Sequence, residues 1–125
     1  MKVARWSASI GSIVLFATGA LHGTKFSELE RMLSENHAKP PLDGISRASW
    51  LIFSTEMMAV AVIAFMASRM ERGRGILFVC AATMAVNAAF LVKYLGMFIG
   101  VYLTISVMIL FLVAALLPDK ARDQS

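Results

Sequence analysis

Four long, mostly apolar blocks, which together contain a single charged residue, Glu56, constrain the fold of this chain more than any other feature. A helix needs about 20 apolar residues to cross about 30 Å of hydrocarbon. The blocks approach that length and cover about residues 6–23, 50–67, 76–92 and 97–117. Across the 125 residues, 58% are hydrophobic and 16% charged, a charged share well below that of soluble domains. The sequence therefore predicts an all-α, polytopic membrane protein, a four-helix bundle in a single domain.

The first block has some features of a cleaved signal peptide, because it follows Lys2 and Arg5 and ends in small residues. It continues to His22, however, without a clean small-x-small cleavage site. We therefore expect a retained spanning helix. After the fourth block we expect Pro118 to stop the helix, because proline cannot continue one.

Positive charges indicate which face of the membrane is cytoplasmic. Four spans place both termini on one side, and cytoplasmic loops carry an excess of Lys and Arg. The face that the termini share holds seven of the twelve Lys and Arg residues. We therefore expect a bacterial inner-membrane protein with cytoplasmic N- and C-termini, and no nucleic-acid partner. The seven are Lys2, Arg5, Arg69, Arg72, Arg74, Lys120 and Arg122, and the opposite face carries Lys25, Arg31, Lys39, Arg47 and Lys93.

The outer loop, residues 24–49, is predicted to contain a short amphipathic helix on the membrane surface. Ser27 followed by Glu30 fits a capping box at its start. We expect the helix to end before Pro40 and Pro41, and Gly44 to let the chain turn into the second span. Apolar residues recur there at helical spacing, namely Phe26, Leu29, Met32 and Leu33.

Polar side chains within the spans are few, and they gather in the outer half. A charged group in the bilayer costs roughly 2.5 to 3.5 kcal/mol on insertion scales, which makes it a functional candidate. Glu56 lies about 9 Å below the outer boundary, counted from Trp50, and Asn87 and Tyr102 reach a similar depth. Such convergence predicts an outer-half polar cavity. The predicted ligand-binding residues are His22, Glu56, Asn87, Lys93 and Tyr102.

Each of these residues also has a purely structural interpretation. Glu56 can pair with Lys93 or His22 to hold the bundle together, and Asn87 can join two helices by a hydrogen bond. His22 is close enough to the interface to be solvated. Lys93 can extend to the headgroups, and Tyr102 can belong to an aromatic belt. Both interpretations stay open at the level of sequence.

Two glycine patterns bear on helix packing, and the histidine and methionine content bears on metal binding. Gly19–Gly23 and Gly96–Gly100 each match G-x-x-x-G, which permits close helix contact within a bundle or between subunits. No metal site is predicted, because His22 is the one histidine inside a predicted span and the nine methionines are interpreted as packing residues. No catalytic residue can be named, and whether the chain is an enzyme stays open.

A family resemblance rests on four features: a Gly-x-x-His ending of the first span at Gly19 to His22, prolines in the outer loop, Glu56 in the second span, and Arg69 closing that span. In these the chain resembles the DoxX-like group of small bacterial four-helix membrane proteins. The resemblance implies an accessory or catalytic subunit of a membrane redox assembly, linked in some members to quinone.

Three functions fit these observations. The leading expectation is an accessory subunit of a membrane redox complex, whose outer-half cavity binds a quinone or a lipid. It would have a membrane-protein partner or a second copy of itself. The second is a proton-coupled transporter of a small cationic or amphipathic substrate, which uses Glu56 as the exchanging carboxyl. The third is a purely structural subunit of a membrane assembly.

Overall fold

The computed structural model describes residues 2–117, and within them all regular structure is α-helical. The helices are α1 (Lys2–Thr24), α2 (Phe26–Glu35), α3 (Leu42–Ala67), α4 (Arg74–Leu95) and α5 (Ile99–Leu116). Four helical segments within this range are long and apolar enough to cross a membrane, the first of them including both α1 and α2. The predicted all-α class with four candidate spans is confirmed.

The four long helices form an up-and-down bundle, because the segment that contains α2 and the turns after α3 and α4 each reverse the chain direction. α1 packs mainly against α3 and α5, and α4 packs mainly against α5. The contact between α3 and α4 is much sparser. We call the end of the bundle that carries α2 the α2 end, and the opposite end, where α1 begins and α5 finishes, the terminal end.

The terminal half of the bundle is packed from alanines around one large aromatic side chain. Ala64, Ala115 and Phe111 are completely buried. Gly11 of α1 lies directly against Phe111, since a Cβ atom at Gly11 would stand 2.9 Å from Cε1 of that ring. Small residues let membrane helices approach closely, so that dispersion contacts between backbones hold them together. Close approach of this kind accounts for the contact between α1 and α5.

Hydrogen bonds from side chains to backbone reinforce the terminal end. Ser7 Oγ of α1 donates to the carbonyl oxygen of Leu110 on α5, at 2.8 Å. Arg74 Nε donates to the carbonyl oxygen of Ala115 at 2.7 Å. That carbonyl belongs to the last turn of α5, where intrahelical donors run out. In the sequence, Arg74 served only as evidence for membrane orientation. In the structure it also caps the end of α5.

The predicted short helix in the outer loop is present as α2, but its predicted capping box is wrong. Lys25 is the N-cap residue, and its side chain makes no capping hydrogen bond to the backbone of α2. Glu30 instead accepts a hydrogen bond from Arg47 of α3. The Glu30 carboxylate pairs with Arg47 of α3 and not with the backbone N–H of Ser27, which a capping box would require.

α2 ends before the two prolines, as predicted, and it does so through a left-handed residue. His37 has a φ of 49°. The backbone N–H of Ala38 donates to the carbonyl of Leu33 at 3.0 Å, and that of His37 to the carbonyl of Ser34 at 3.1 Å. This pair of bonds is a Schellman motif, in which a residue in the left-handed region closes a helix. His37 thus terminates α2.

α3 begins well before the apolar block that predicted it. The helix starts at Leu42 and not near residue 50, so Gly44 lies inside it and the expectation that Gly44 makes the turn is wrong. Pro41 is the N-cap and already has helical backbone angles, and proline suits this position because its missing N–H would have no partner there. Pro118, Lys120 and Arg122, which entered the predictions, lie outside the described residues.

Candidate functional site: a cavity at the α2 end

A cavity of about 500 Å³ opens at the α2 end of the bundle. All five helices contribute to its wall, which is mainly apolar. Small-molecule sites have volumes of roughly 300 to 1,000 Å³ and are typically apolar with a few polar groups. The cavity therefore has the size and lining of a ligand site. Its lining residues are Thr18, His22, Leu29, Ser46, Ser49, Trp50, Phe53, Met57, Leu91, Leu95, Phe98, Gly100 and Thr104.

His22 is the ionisable side chain among the described lining residues, and two aromatic residues of α3 hold its ring. The imidazole stacks on Trp50, with ring centroids 4.0 Å apart and an interplanar angle of 17°. Phe53 meets it edge to face at 5.4 Å and 77°. Trp50 Nε1 also donates to the backbone carbonyl of His22 at 2.8 Å, which joins α3 to the end of α1. The imidazole is thus positioned from two sides.

The polar atoms of the His22 ring are uncommitted to the protein. Within residues 2–117, the hydrogen bond made by His22 is through its backbone oxygen and not through either ring nitrogen. A neutral imidazole offers one N–H donor and one acceptor nitrogen. His22 can therefore both donate to a ligand oxygen and accept from a ligand hydroxyl at the cavity wall.

The hydroxyl groups of the cavity contribute differently. Thr18 Oγ1 donates to the carbonyl of Val14 at 2.7 Å, and Thr104 Oγ1 donates to the carbonyl of Gly100 at 2.8 Å. Such bonds to the preceding helical turn use the hydroxyl proton and leave oxygen lone pairs as acceptors. A ligand carbonyl would thus find no donor in these two threonines, whereas the His22 ring and the hydroxyls of Ser46 and Ser49, which also line the cavity, can supply one.

A glycine pair of α1 brings His22 to its aromatic partners. Ser54 Oγ of α3 donates to the carbonyl oxygen of Gly19 at 2.5 Å. A Cβ atom at Gly23 would lie 2.9 Å from the same Ser54 Oγ. The first G-x-x-x-G match therefore forms the contact between α1 and α3 within one chain.

The second G-x-x-x-G match has another role. Gly96 has a φ of 75° and ends α4 in a conformation that favours glycine. A Cβ atom at Gly100 would collide with the ring of Phe98. The pair therefore makes the turn between α4 and α5 and admits the Phe98 ring to the cavity wall.

Glu56 and Asn87 lie in a different place, a groove between α3 and α4. Asn87 Nδ2 donates to Glu56 Oε1 at 3.1 Å, so the two residues lie at the same level of the bundle. No ion pair within residues 2–117 includes Glu56, and neither Lys93 nor His22 is its partner. The groove has a volume of about 410 Å³ and is also lined by Val79, Ala82, Thr83 and Val86.

Lys93 and Tyr102 line neither the cavity nor this groove. The Lys93 ammonium stands 5.2 Å from the centroid of the Tyr94 ring, and Tyr102 is 57% exposed on α5. Of the five predicted ligand-binding residues, the structure therefore brings Glu56 and Asn87 together and places His22 in a separate cavity. Depth along a helix does not determine the direction a side chain takes around it, because about 3.6 residues make a turn.

The aromatic wall of the cavity was not predicted from the sequence. Trp50 lies at the edge of an apolar block, a position typical of membrane-interface tryptophans. The sequence therefore gave no reason to expect its contact with His22. A signal was available in α3, where Trp50, Phe53 and Met57 recur at helical spacing and so share one face. All three line the cavity.

The fold and the cavity define a class: an all-helical protein compatible with a multi-pass membrane protein, with a ligand-sized cavity at one end of its bundle. No protein-family model matches the chain, no curated protein matches it, and no solved structure matches it. The resemblance to the DoxX-like group stays a prediction.

Proposed function

We propose that this protein binds an amphipathic small molecule, a quinone or a lipid, in the cavity at the α2 end, and acts as an accessory subunit of a membrane redox complex. One observation carries the proposal: the His22 ring is stacked on Trp50 with its nitrogens uncommitted to the described protein groups, in a wall that is otherwise mainly apolar. The imidazole would hold a polar head, and the wall would receive an apolar ring or chain.

A ligand dissolved in the bilayer needs a route to the cavity. α3 and α4 are in sparse contact, and both contribute lining residues, among them Met57 on α3 and Leu91 on α4. Separation along this seam supports entry from the side of the bundle. A quinone fits such a site chemically, because its carbonyl oxygens accept the hydrogen bond that a His22 N–H would donate, while its ring and tail are apolar.

The proposal includes an orientation. Arg5, Arg69, Arg72 and Arg74 are all near the terminal end, which favours a cytoplasmic position for that end in a bacterial inner membrane. The cavity would then open in the outer half of the bilayer. A membrane-protein partner, or a second copy of the chain, would complete the redox assembly.

The proposal is tested by titrating the purified protein in detergent with a short-tailed benzoquinone and, separately, with a short-chain phospholipid. Quenching of tryptophan fluorescence in a Trp6→Phe background, where Trp50 is the remaining tryptophan, reports quinone binding, and native mass spectrometry reports lipid binding. His22→Phe keeps an aromatic ring against Trp50 but loses both nitrogens, and we expect it to weaken binding about 5- to 10-fold, the value of one hydrogen bond.

Tyr102→Phe is the matched control, because it removes a polar group at the same predicted depth but outside the cavity. We expect its affinity for either probe to stay within about twofold of that of the wild-type protein. Equal affinity of the His22→Phe variant and the wild-type protein, or failure of both probes to bind, would reject the proposed site.

A second function, proton-coupled transport, has one observation in its favour. The Glu56 carboxyl is half-buried in its groove, accepts one hydrogen bond from Asn87 and forms no ion pair among the described residues. A carboxyl of this kind in a membrane helix can exchange a proton for a cation. Small organic cations should then release protons from the purified protein and not from its Glu56→Gln variant. Absence of release across a broad panel would reject transport.

A further inference from the structure

A second groove follows α1 and α3 on the surface of the bundle, at the opposite end from the His22 cavity. Its terminal section has a volume of about 370 Å³ and is lined by Arg5, Trp6, Ser9, Ile13, Phe65 and Arg69. A further section, of about 330 Å³, continues toward the middle of the bundle with an almost entirely apolar wall. Ile13 and Phe65 line both sections, so the groove is continuous.

Both arginines line the terminal end of the groove, because α1 begins there and α3 ends there. The Arg69 guanidinium lies over the Phe65 ring, 4.7 Å from its centroid. Both arginines are exposed, and within residues 2–117 neither forms an ion pair. Glu71, in the turn after α3, forms none in that range either. The charged end of the groove therefore presents two guanidinium groups without a described counter-ion.

The length of the groove matches a single leaflet of a bilayer. Arg5 and Phe16 are eleven residues apart on α1 and line its two ends. At about 1.5 Å per residue this is about 16 Å, and half of a hydrocarbon core of about 30 Å is about 15 Å. Trp6, beside Arg5, belongs to the residue type that concentrates at the headgroup level. The groove thus has a charged end at the interface and an apolar stretch that reaches as deep as a single leaflet.

We propose that this groove binds one anionic phospholipid, with its phosphate on Arg5 and Arg69 and an acyl chain lying along Ile13, Phe65 and Phe16. Guanidinium groups bind phosphate oxygens bidentately and are weakly hydrated, which suits a headgroup site. Basic pockets between membrane helices on the cytoplasmic side bind anionic headgroups in this manner. The apolar remainder of the groove favours a lipid over a soluble anion. The site is independent of the His22 cavity and of its proposed ligand.

The test is native mass spectrometry of the purified full chain with phosphatidylglycerol or phosphatidylcholine of identical acyl chains. Each basic residue near the surface contributes about fivefold to the binding of an anionic lipid, so two arginines should give phosphatidylglycerol a preference of about 25-fold. The Arg5→Gln, Arg69→Gln double variant should lose that preference.

Arg72→Gln is the matched control, because it removes the same charge from the same end of the bundle but lies outside the groove. Its preference should stay within about twofold of that of the wild-type protein. Millimolar inorganic phosphate should not displace phosphatidylglycerol, since it lacks the acyl chain. Equal binding of the two lipids to the wild-type protein would overturn the proposal, even if the double variant failed to fold. So would displacement by inorganic phosphate, or an equal loss in Arg72→Gln.

Discussion

The two ends of the bundle are packed by opposite means. At the terminal end, alanines and Gly11 let the helices approach closely around the buried Phe111. At the α2 end, large side chains such as Trp50, Phe53 and Phe98 surround a cavity of about 500 Å³. Close contact between small residues leaves no room for a ligand between the helices, whereas large side chains hold the helices apart. A binding site in this bundle can therefore form at the α2 end much more readily than in the core of the terminal end.

Ser7 and Arg74 at the terminal end and His22 at the α2 end use their polar groups differently. Ser7 and Arg74 donate to backbone carbonyls of α5, so their hydrogen-bonding capacity serves the packing of the terminal end. The ring nitrogens of His22 have no such partner within residues 2–117 and stand at the wall of a cavity. A polar residue in a membrane helix is thus a functional candidate mainly when its donors and acceptors are not used by the protein.

The largest expected effect comes from removing an aromatic ring at each end. Phe111→Ala should lower the free energy of unfolding by about 3 to 5 kcal/mol, because it leaves a cavity in a packed core. Phe98→Ala, in the wall of the α2-end cavity, should cost less than about 1.5 kcal/mol, since the ring is 39% exposed. Reversible denaturation in mixed detergent measures both. Equal costs would show that the two ends are packed alike.

Enlarging a side chain at each end should give a smaller contrast. Gly11→Leu must displace Phe111 and Leu110, so a loss of about 1 to 3 kcal/mol in the free energy of unfolding is expected. Leu91→Phe can extend into the cavity and should cost less than about 1 kcal/mol, while it weakens quinone binding.

The same denaturation assay, combined with the quinone titration, checks this pair. If Leu91→Phe were the more destabilising of the two, the space at the α2 end would not be available to a ligand. The comparison between the ends would then be wrong.

The smallest expected effect concerns the Glu56 groove. Glu56→Ala removes the acceptor for Asn87 and should cost about 0.6 to 1.7 kcal/mol, the range for hydrogen bonds between membrane helices. Glu56→Gln keeps an acceptor oxygen and should leave stability within about 0.5 kcal/mol of wild type. Quinone affinity should not change in either variant, because Glu56 does not line the cavity. If either Glu56 variant lost as much quinone affinity as His22→Phe, the Glu56 groove and the His22 cavity would have to be a single site.

The sequence predicted the positions of the helices well, but it predicted poorly which side chains contact each other between helices. Apolar length and turn residues were enough to predict the four long helices and the short α2. Two local predictions were wrong: the capping box at Ser27 and the turn at Gly44. Glu30 is engaged by Arg47, a residue seventeen positions away, and Pro41 starts α3 ahead of Gly44. Local patterns cannot reveal a partner that only the packing of α2 on α3 supplies.

The candidate site shows the same division. Polar residues and their depth were readable from the sequence, and the bond between Glu56 and Asn87 agrees with that depth. The sequence predicted that His22 and Glu56 line one cavity, but the structure places them in two. The sequence could not show this, because the direction of each side chain depends on how its helix is rotated about its axis. Trp50 shows the converse, since its position predicted a membrane-interface residue and its rotation on α3 places it against His22.

The sequence by itself determined that this chain is helical and that four of its segments are long enough to cross a membrane. The physical reason is that backbone groups in hydrocarbon must be satisfied within the segment, which leaves an apolar stretch of this length little choice but a helix. The tertiary structure decided which faces meet. Gly11 lets α1 approach Phe111 of α5 at the terminal end. Gly19 lets α1 approach Ser54 of α3 toward the α2 end, where larger side chains leave a cavity beside His22.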